Sequence, residues 1–146
     1  MIAYEQPLIG FLSRTHIEAI LAAPDRESWT GQRDRVMLAT LYNTGARVSE
    51  VCGLGHGDVD LDSALVRLFG KRSKERIVPL GRPAVRALAE WFDVGRPELS
   101  PRSWRSRDDA DAVFLGAKGS RLTRQGVWLV LQRWARVAGL DAHISP

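Results

Sequence analysis

Two short stretches carry side chains able to handle a phosphodiester: Thr44-Gly45-Ala46-Arg47-Val48-Ser49-Glu50 and Gly70-Lys71-Arg72-Ser73-Lys74-Glu75-Arg76-Ile77-Val78-Pro79-Leu80. In the first, a glycine turn leads into a helix start, so that backbone N–H groups and the Arg47 guanidinium share one spot, an arrangement suited to an oxyanion. Arginine stays charged and presents a planar fork that can grip two phosphate oxygens at once. Glu50, three residues on, falls on the same helical face, where it either orients Arg47 or forms a surface i,i+3 pair. By pattern alone, a solvated arginine at a helix start is the plainer reading.

The second stretch gathers the cations Lys71, Arg72, Lys74 and Arg76 with one anion, Glu75, in a loop between apolar segments. Most such runs are solvated turns. What favours function is geometry. A hairpin tip can reach into a DNA groove, and a lysine there can donate a proton, which a guanidinium with a pKa above about 12 rarely does. Lys71, beside Gly70 at the strand end, is better anchored than Lys74. Arg124, Arg133 and Arg136 could face phosphates from a single helix, or simply face solvent. Trp128 and Trp134 on that helix read as core residues rather than base-stacking platforms.

The elements that must hold these groups follow from periodicity. Ser13 caps a short amphipathic helix to Ala23 with Ile17, Ile20 and Leu21 on one face, and a second helix runs from Gln32 to Tyr42, broken by Asn43-Thr44-Gly45. Arg47 to Leu54 reads as a third, with Arg47 in its first turn. Beyond Gly57 the period shortens: Val59, Leu61, Leu65, Val66, Leu68 and Phe69, then Ile77-Val78-Pro79-Leu80, imply two or three antiparallel strands with residues 71–75 at a hairpin tip. Pro79 belongs at an edge or a strand end. A helix over Arg82–Phe92 covers the sheet, Gly95–Ala110 is an exposed connector, and Val113-Phe114-Leu115 is a brief strand. The last helix runs from a Thr123 cap to Ala138, with Val127, Val130, Leu131 and Trp134 inward and Gly139 as its stop.

A length of 146 residues, 45% of them hydrophobic and 26% charged, suits one domain with its own core. The net charge of +4 is compatible with a polyanionic partner but does not identify one. A single cysteine, Cys52, excludes an internal disulfide and any multi-thiolate zinc site, so a reducing, cytoplasmic setting is the default. Cys52 itself reads as a buried, inert thiol. His16, His56 and His143 are scattered without i,i+4 pairing, so a metal site is not expected; no cofactor is expected either. No stretch approaches membrane-spanning length. Gly53-Leu54-Gly55-His56-Gly57 and Gly116–Ser120 lack the spacing of nucleotide-binding loops.

Taken together and in this order, the motifs resemble the catalytic domain of the tyrosine recombinases, the phage-integrase and Xer-like family. Residues Leu41 to Leu54 look like that family's first arginine box, with Asp58-Val59-Asp60 its usual sequel. Gly70-Lys71 through Val78-Pro79-Leu80 look like the hairpin carrying the catalytic lysine, and Leu122-Thr123-Arg124-Gln125 to Gly139-Leu140 like the helix before the second box. The resemblance implies an α+β, mainly helical fold with a small antiparallel sheet. It also implies a mechanism in which a tyrosine attacks the scissile phosphate, giving a 3′-phosphotyrosyl link and a free 5′-hydroxyl. Arg47 would hold non-bridging oxygens, Lys71 would act as general acid, Glu50 would orient, and Arg72, Lys74, Arg76, Thr123 and Arg124 would contact DNA.

Its partners would be double-stranded DNA and, for the intact enzyme, further protomers in a synaptic tetramer. His143-Ile144-Ser145-Pro146 resembles the lead into a His-x-x-Arg box, which with the nucleophilic tyrosine would lie past residue 146. Tyr4 and Tyr42, the only tyrosines, stand elsewhere. The expectation is therefore a lead over residues 1–12 and a partial catalytic domain over 13–146, incomplete at the C-terminus and inactive by itself. The alternative is a non-catalytic DNA-binding or protein-interaction module with a recombinase-like shell.

Overall fold

Ser13 and Ser28 begin the first two helices by the same device, a side-chain oxygen accepting a backbone N–H three residues on. The structure, a computed structural model, describes residues 13–70 and 74–140. Helix α1 (Arg14–Ala22) buries Ile17 and Ile20. Helix α2 (Trp29–Thr44) starts three residues earlier than its apolar pattern implies. The reason lies upstream, where Asp25 Oδ1 accepts from the N–H groups of Glu27 and Ser28 and fixes the chain for the Ser28 cap. Gly45 ends α2 in the left-handed region (φ 67°, ψ 21°), its N–H bonded to Leu41 O. Helix α3 (Val48–Cys52) then follows almost at once.

Strands β1 (Val59–Asp60), β2 (Leu65–Phe69) and β3 (Glu75–Pro79) form one antiparallel sheet in that order. Val66 and Leu68 point into the core and Leu65, Arg67 and Phe69 point out, as a period of two requires. Pro79 closes β3 at the sheet's free edge, where its missing N–H costs no ladder bond. The Gly70 N–H reaches Lys74 O at 2.8 Å and closes the hairpin. Its tip, Lys71, Arg72 and Ser73, lies outside the described residues.

Helix α4 (Arg82–Glu90) does not stop near Phe92; it passes through a π-helical turn (Trp91–Gly95) into α5 (Arg96–Leu99). The Arg96 N–H bonds back to Trp91 O, so the coil is already widened ahead of Pro97. A Cβ at Gly95 would run into the Trp91 ring. The supposed connector is thus helical at both ends, since α6 (Arg107–Asp111) is capped by Ser106. Residues 112–115 make only isolated bridges, Gly55 to Ala112 and Leu115 to Arg121, instead of a strand. Side chains meet several of their carbonyls, with Trp91 Nε1 donating to Val113 O and Arg33 Nη1 to Leu115 O, while Phe114 O accepts the Leu122 N–H.

Helix α7 (Arg124–Val137) packs against α1 and α3, with Val127, Leu131 and Trp134 inside. Trp128 and Trp134 are both core residues. Each large side chain fully removed from water contributes about 1.5–3 kcal/mol. One polar network crosses this core: Arg33 Nε and Nη2 donate to Asp34 Oδ1 at 2.9 and 2.7 Å, and Trp134 Nε1 donates to Asp34 Oδ2 at 2.8 Å. Buried charge is tolerated there because every carboxylate oxygen has a donor. No helix among the described residues is long and apolar enough to cross a membrane.

Candidate functional site

Arg47 is the residue immediately before α3 rather than part of its first turn, with extended backbone (φ −81°, ψ 157°). Gly45 makes this possible by turning the chain sharply two residues earlier. Thr44 firms the corner: its hydroxyl donates to Thr40 O at 2.7 Å and accepts the Ala46 N–H at 3.2 Å. The Arg47 side chain is half-buried, and its guanidinium makes no hydrogen bond or ion pair with another described residue.

Glu50 is no surface partner. Its side chain is 1% exposed, and Oε1 accepts the Arg47 backbone N–H at 2.8 Å. The Arg76 guanidinium closes on the same carboxylate, Nη2 to Oε1 at 2.8 Å and Nε to Oε2 at 3.0 Å. Burial alone would push the Glu50 carboxyl up, but the Arg76 hydrogen bonds, the Arg47 N–H and the two nearby positive charges outweigh it and hold the pKa below its ordinary value. The hydrogen bonds that Arg76 donates to Glu50 raise the Arg76 pKa in turn. Glu50 therefore fixes the Arg47 backbone, not its guanidinium.

The same carboxylate also reaches the hairpin. A Cβ on Gly70 would sit 3.7 Å from Glu50 Oε2, so the strand end leading to Lys71 lies against it. Arg76, expected among the DNA contacts, pairs with Glu50, and its side chain remains 46% exposed. Lys74 is exposed at the base of the tip, and Lys71 and Arg72 fall outside the described residues.

Helix α3 is also held from its other end. Arg121 Nη1 donates to Cys52 O and Leu54 O, both at 3.0 Å, and supplies the carbonyl partners that so short a helix lacks. Two residues later Thr123 caps α7, its hydroxyl accepting the Gly126 N–H at 3.0 Å, and Arg124 is exposed beside it. The roles of Arg121 and Arg76 were both missed in the sequence. A signal for Arg76 was present: it pairs with Leu68 across the sheet, on the inward face, where a cation needs a buried carboxylate. Among the described residues no three His, Cys, Asp or Glu side chains gather for a metal.

The profile of the phage integrase family matches residues 10–146. The chain belongs to the phage integrase family. Among curated relatives it is 38% identical to tyrosine recombinase XerC of Pelotomaculum thermopropionicum over 142 residues, which is 97% of this chain and 46% of that protein. It is 49% identical to tyrosine recombinase XerD of Mycobacterium tuberculosis over 114 residues, 78% of this chain and 35% of that one. The chain thus spans half or less of the length of these family members. The crystal structure of XerA recombinase shares the fold, with a TM-score of 0.74 at 23% identity over 93% of this chain and 46% of that one. XerH site-specific recombinase, bound to palindromic difH substrate in a post-cleavage complex, matches with a TM-score of 0.69 at 27% identity over 88% of this chain and 36% of that one. The mainly helical architecture with a small antiparallel sheet is that of the family's tyrosine recombinase catalytic domains.

Proposed function

We propose that residues 13–146 are the phosphate-gripping part of a tyrosine recombinase catalytic domain that acts on duplex DNA in site-specific recombination. One observation carries the reading: the buried Glu50 carboxylate binds both the Arg47 turn and the base of the Lys71 hairpin, so two cationic elements far apart in sequence are held in one frame. Arg47 would grip the non-bridging oxygens of the scissile phosphate. Lys71 would give its proton to the departing 5′-oxygen as a tyrosine oxygen bonds to phosphorus. Charge building on the crowded phosphorus is then met by fixed donors rather than by reorganising water.

Neither tyrosine of the chain stands at the position where the family's nucleophile would be expected. Tyr42 is half-buried in α2, and Tyr4 lies outside the described residues. These 146 residues are therefore proposed to bind DNA without cleaving it, the intact enzyme working in a synaptic tetramer. Lys74 and Arg124, both exposed, remain proposed phosphate contacts, as do Arg72 and the Thr123 backbone.

The test uses a nicked suicide duplex and two proteins, this chain and a version continued through a His-x-x-Arg box and a tyrosine. The continued protein should form a covalent adduct, and Arg47→Ala or Lys71→Ala should lower its cleavage by about 10²-fold or more while sparing duplex binding. An adduct formed by the 146 residues alone would sink the inactivity proposal. Undiminished cleavage in both variants would sink the site assignment.

A further inference from the structure

The segment Pro101–Arg107, part of the expected exposed connector, is anchored at both ends and at Trp104. At one end Pro101 packs on Gly119, where a Cβ would come 2.6 Å from Pro101 Cδ. In the middle the Arg96 guanidinium lies over the Trp104 ring, 5.2 Å from its centroid. Arg96 is itself buried, donating to Ala112 O and Ala110 O at 2.7 Å each. Just beyond the other end, Arg121 donates to the backbone and the carboxylate of Asp108.

Two of the acids beside this segment are already engaged by Arg121. Asp108 takes the Arg121 guanidinium, Asp109 takes the Arg121 N–H, and the Asp111 carboxylate packs over Gly55. Arg102, Arg105 and Arg107 are exposed, and their side chains make no hydrogen bond or ion pair with another described residue; Lys118, in the turn that carries Gly119, is the same. Four like charges on an anchored backbone repel one another, and a polyanion relieves that repulsion without a further ordering cost. Arg121 places the segment beside the start of α7, three residues ahead of Arg124.

We propose that Arg102, Arg105, Arg107 and Lys118 form an additional phosphate-contacting surface for duplex DNA, continuous with the start of α7 and separate from Arg47 and the hairpin. This rests on the DNA-binding reading above. Contacts of this kind position the protein without reading sequence, and each one released on substitution lowers the salt dependence of binding by about 0.9 in log–log slope.

The experiment titrates the 146-residue chain against a labelled duplex of about three helical turns across a salt series. Replacing Arg102, Arg105 and Arg107 together by alanine should reduce the slope by about 2 to 3 and weaken low-salt binding about tenfold or more. The thermal midpoint should stay put, because these side chains hold no partner among the described residues. The matching triple lysine variant should keep the slope. An unchanged slope in the alanine variant, beside a reduced slope in Arg124→Ala, overturns the proposal while leaving the DNA reading intact. If the unmodified chain fails to bind duplex at low salt, both fall.

Discussion

Removing the Arg76 side chain leaves the Glu50 carboxylate buried with, among the described residues, only the Arg47 N–H as a hydrogen-bond donor, whereas removing Glu50 leaves an arginine that can swing into water. The two deletions are therefore unequal. Arg76→Ala should destabilise by about 3 kcal/mol, the usual cost of an uncompensated buried charge. The double variant Arg76→Ala/Glu50→Gln should recover part of that loss in denaturant unfolding. pH provides an independent check. Because the folded-state pKa of Glu50 is depressed, its stabilisation is complete above the ordinary value of 4.5 and is lost as pH falls through the lowered one. Acidification should thus cost the unmodified protein more stability than Glu50→Gln, and equal losses would show that Glu50 contributes nothing linked to its charge. In the sequence Glu50 was visible only as an i+3 neighbour of Arg47. Its second partner comes from a strand 26 positions away, and no local pattern holds that distance.

At the scale of elements, the corners were the most legible parts, because they depend on single residues with special backbone or hydrogen-bonding chemistry. Ser13, Gly45, Thr123 and Pro79 each stand where their type implies. Gly45→Ala should cost about 1–2 kcal/mol. Its Cβ would meet no neighbour within 4 Å, so the left-handed backbone alone sets the cost. Thr123→Ala should cost about 1 kcal/mol, recovered by Ser or Asp but not by Val. Both are read from thermal or denaturant midpoints. The connector was illegible for a definite reason: glycine and proline normally end a helix, and here a π turn absorbs them. Residues 112–115 misled because an apolar triplet looks alike whether sheet bonds or side chains satisfy its carbonyls. Arg121→Ala would take from the end of α3 the donor to Cys52 O, leaving Leu54 O only the Val113 N–H, so the amides of α3 should exchange hydrogen faster while those of α4 stay protected.

Across the whole molecule, family and architecture were readable because spaced motifs occur in the right order, whereas the polar ties that lock the layers were not. Arg33 with Asp34, Arg96 and Arg121 all look like surface charges in the sequence. Each is spent internally, on Trp134 and Leu115, on the 110–112 backbone, and on α3. A net charge of +4 thus does not say which cations are free to meet a partner, and Arg102, Arg105 and Arg107 are three that face solvent. Asp34→Ala should be the most damaging change in this set, by about 3–5 kcal/mol, since it strands the Arg33 charge inside the core. Asp34→Asn should cost less, with tryptophan fluorescence following the loss of the indole bond.

Asp34 and Trp134 are 100 positions apart, and this separation has a consequence for synthesis. At about 5–20 residues per second, a ribosome releases α2 about 5–20 seconds before the indole that completes its carboxylate. Over that interval the nascent helix carries an ionised pair with no finished interior to enclose it, so final docking waits for α7. Chains arrested before residue 134 should stay protease-sensitive throughout, and those released just after it should become resistant in a single step.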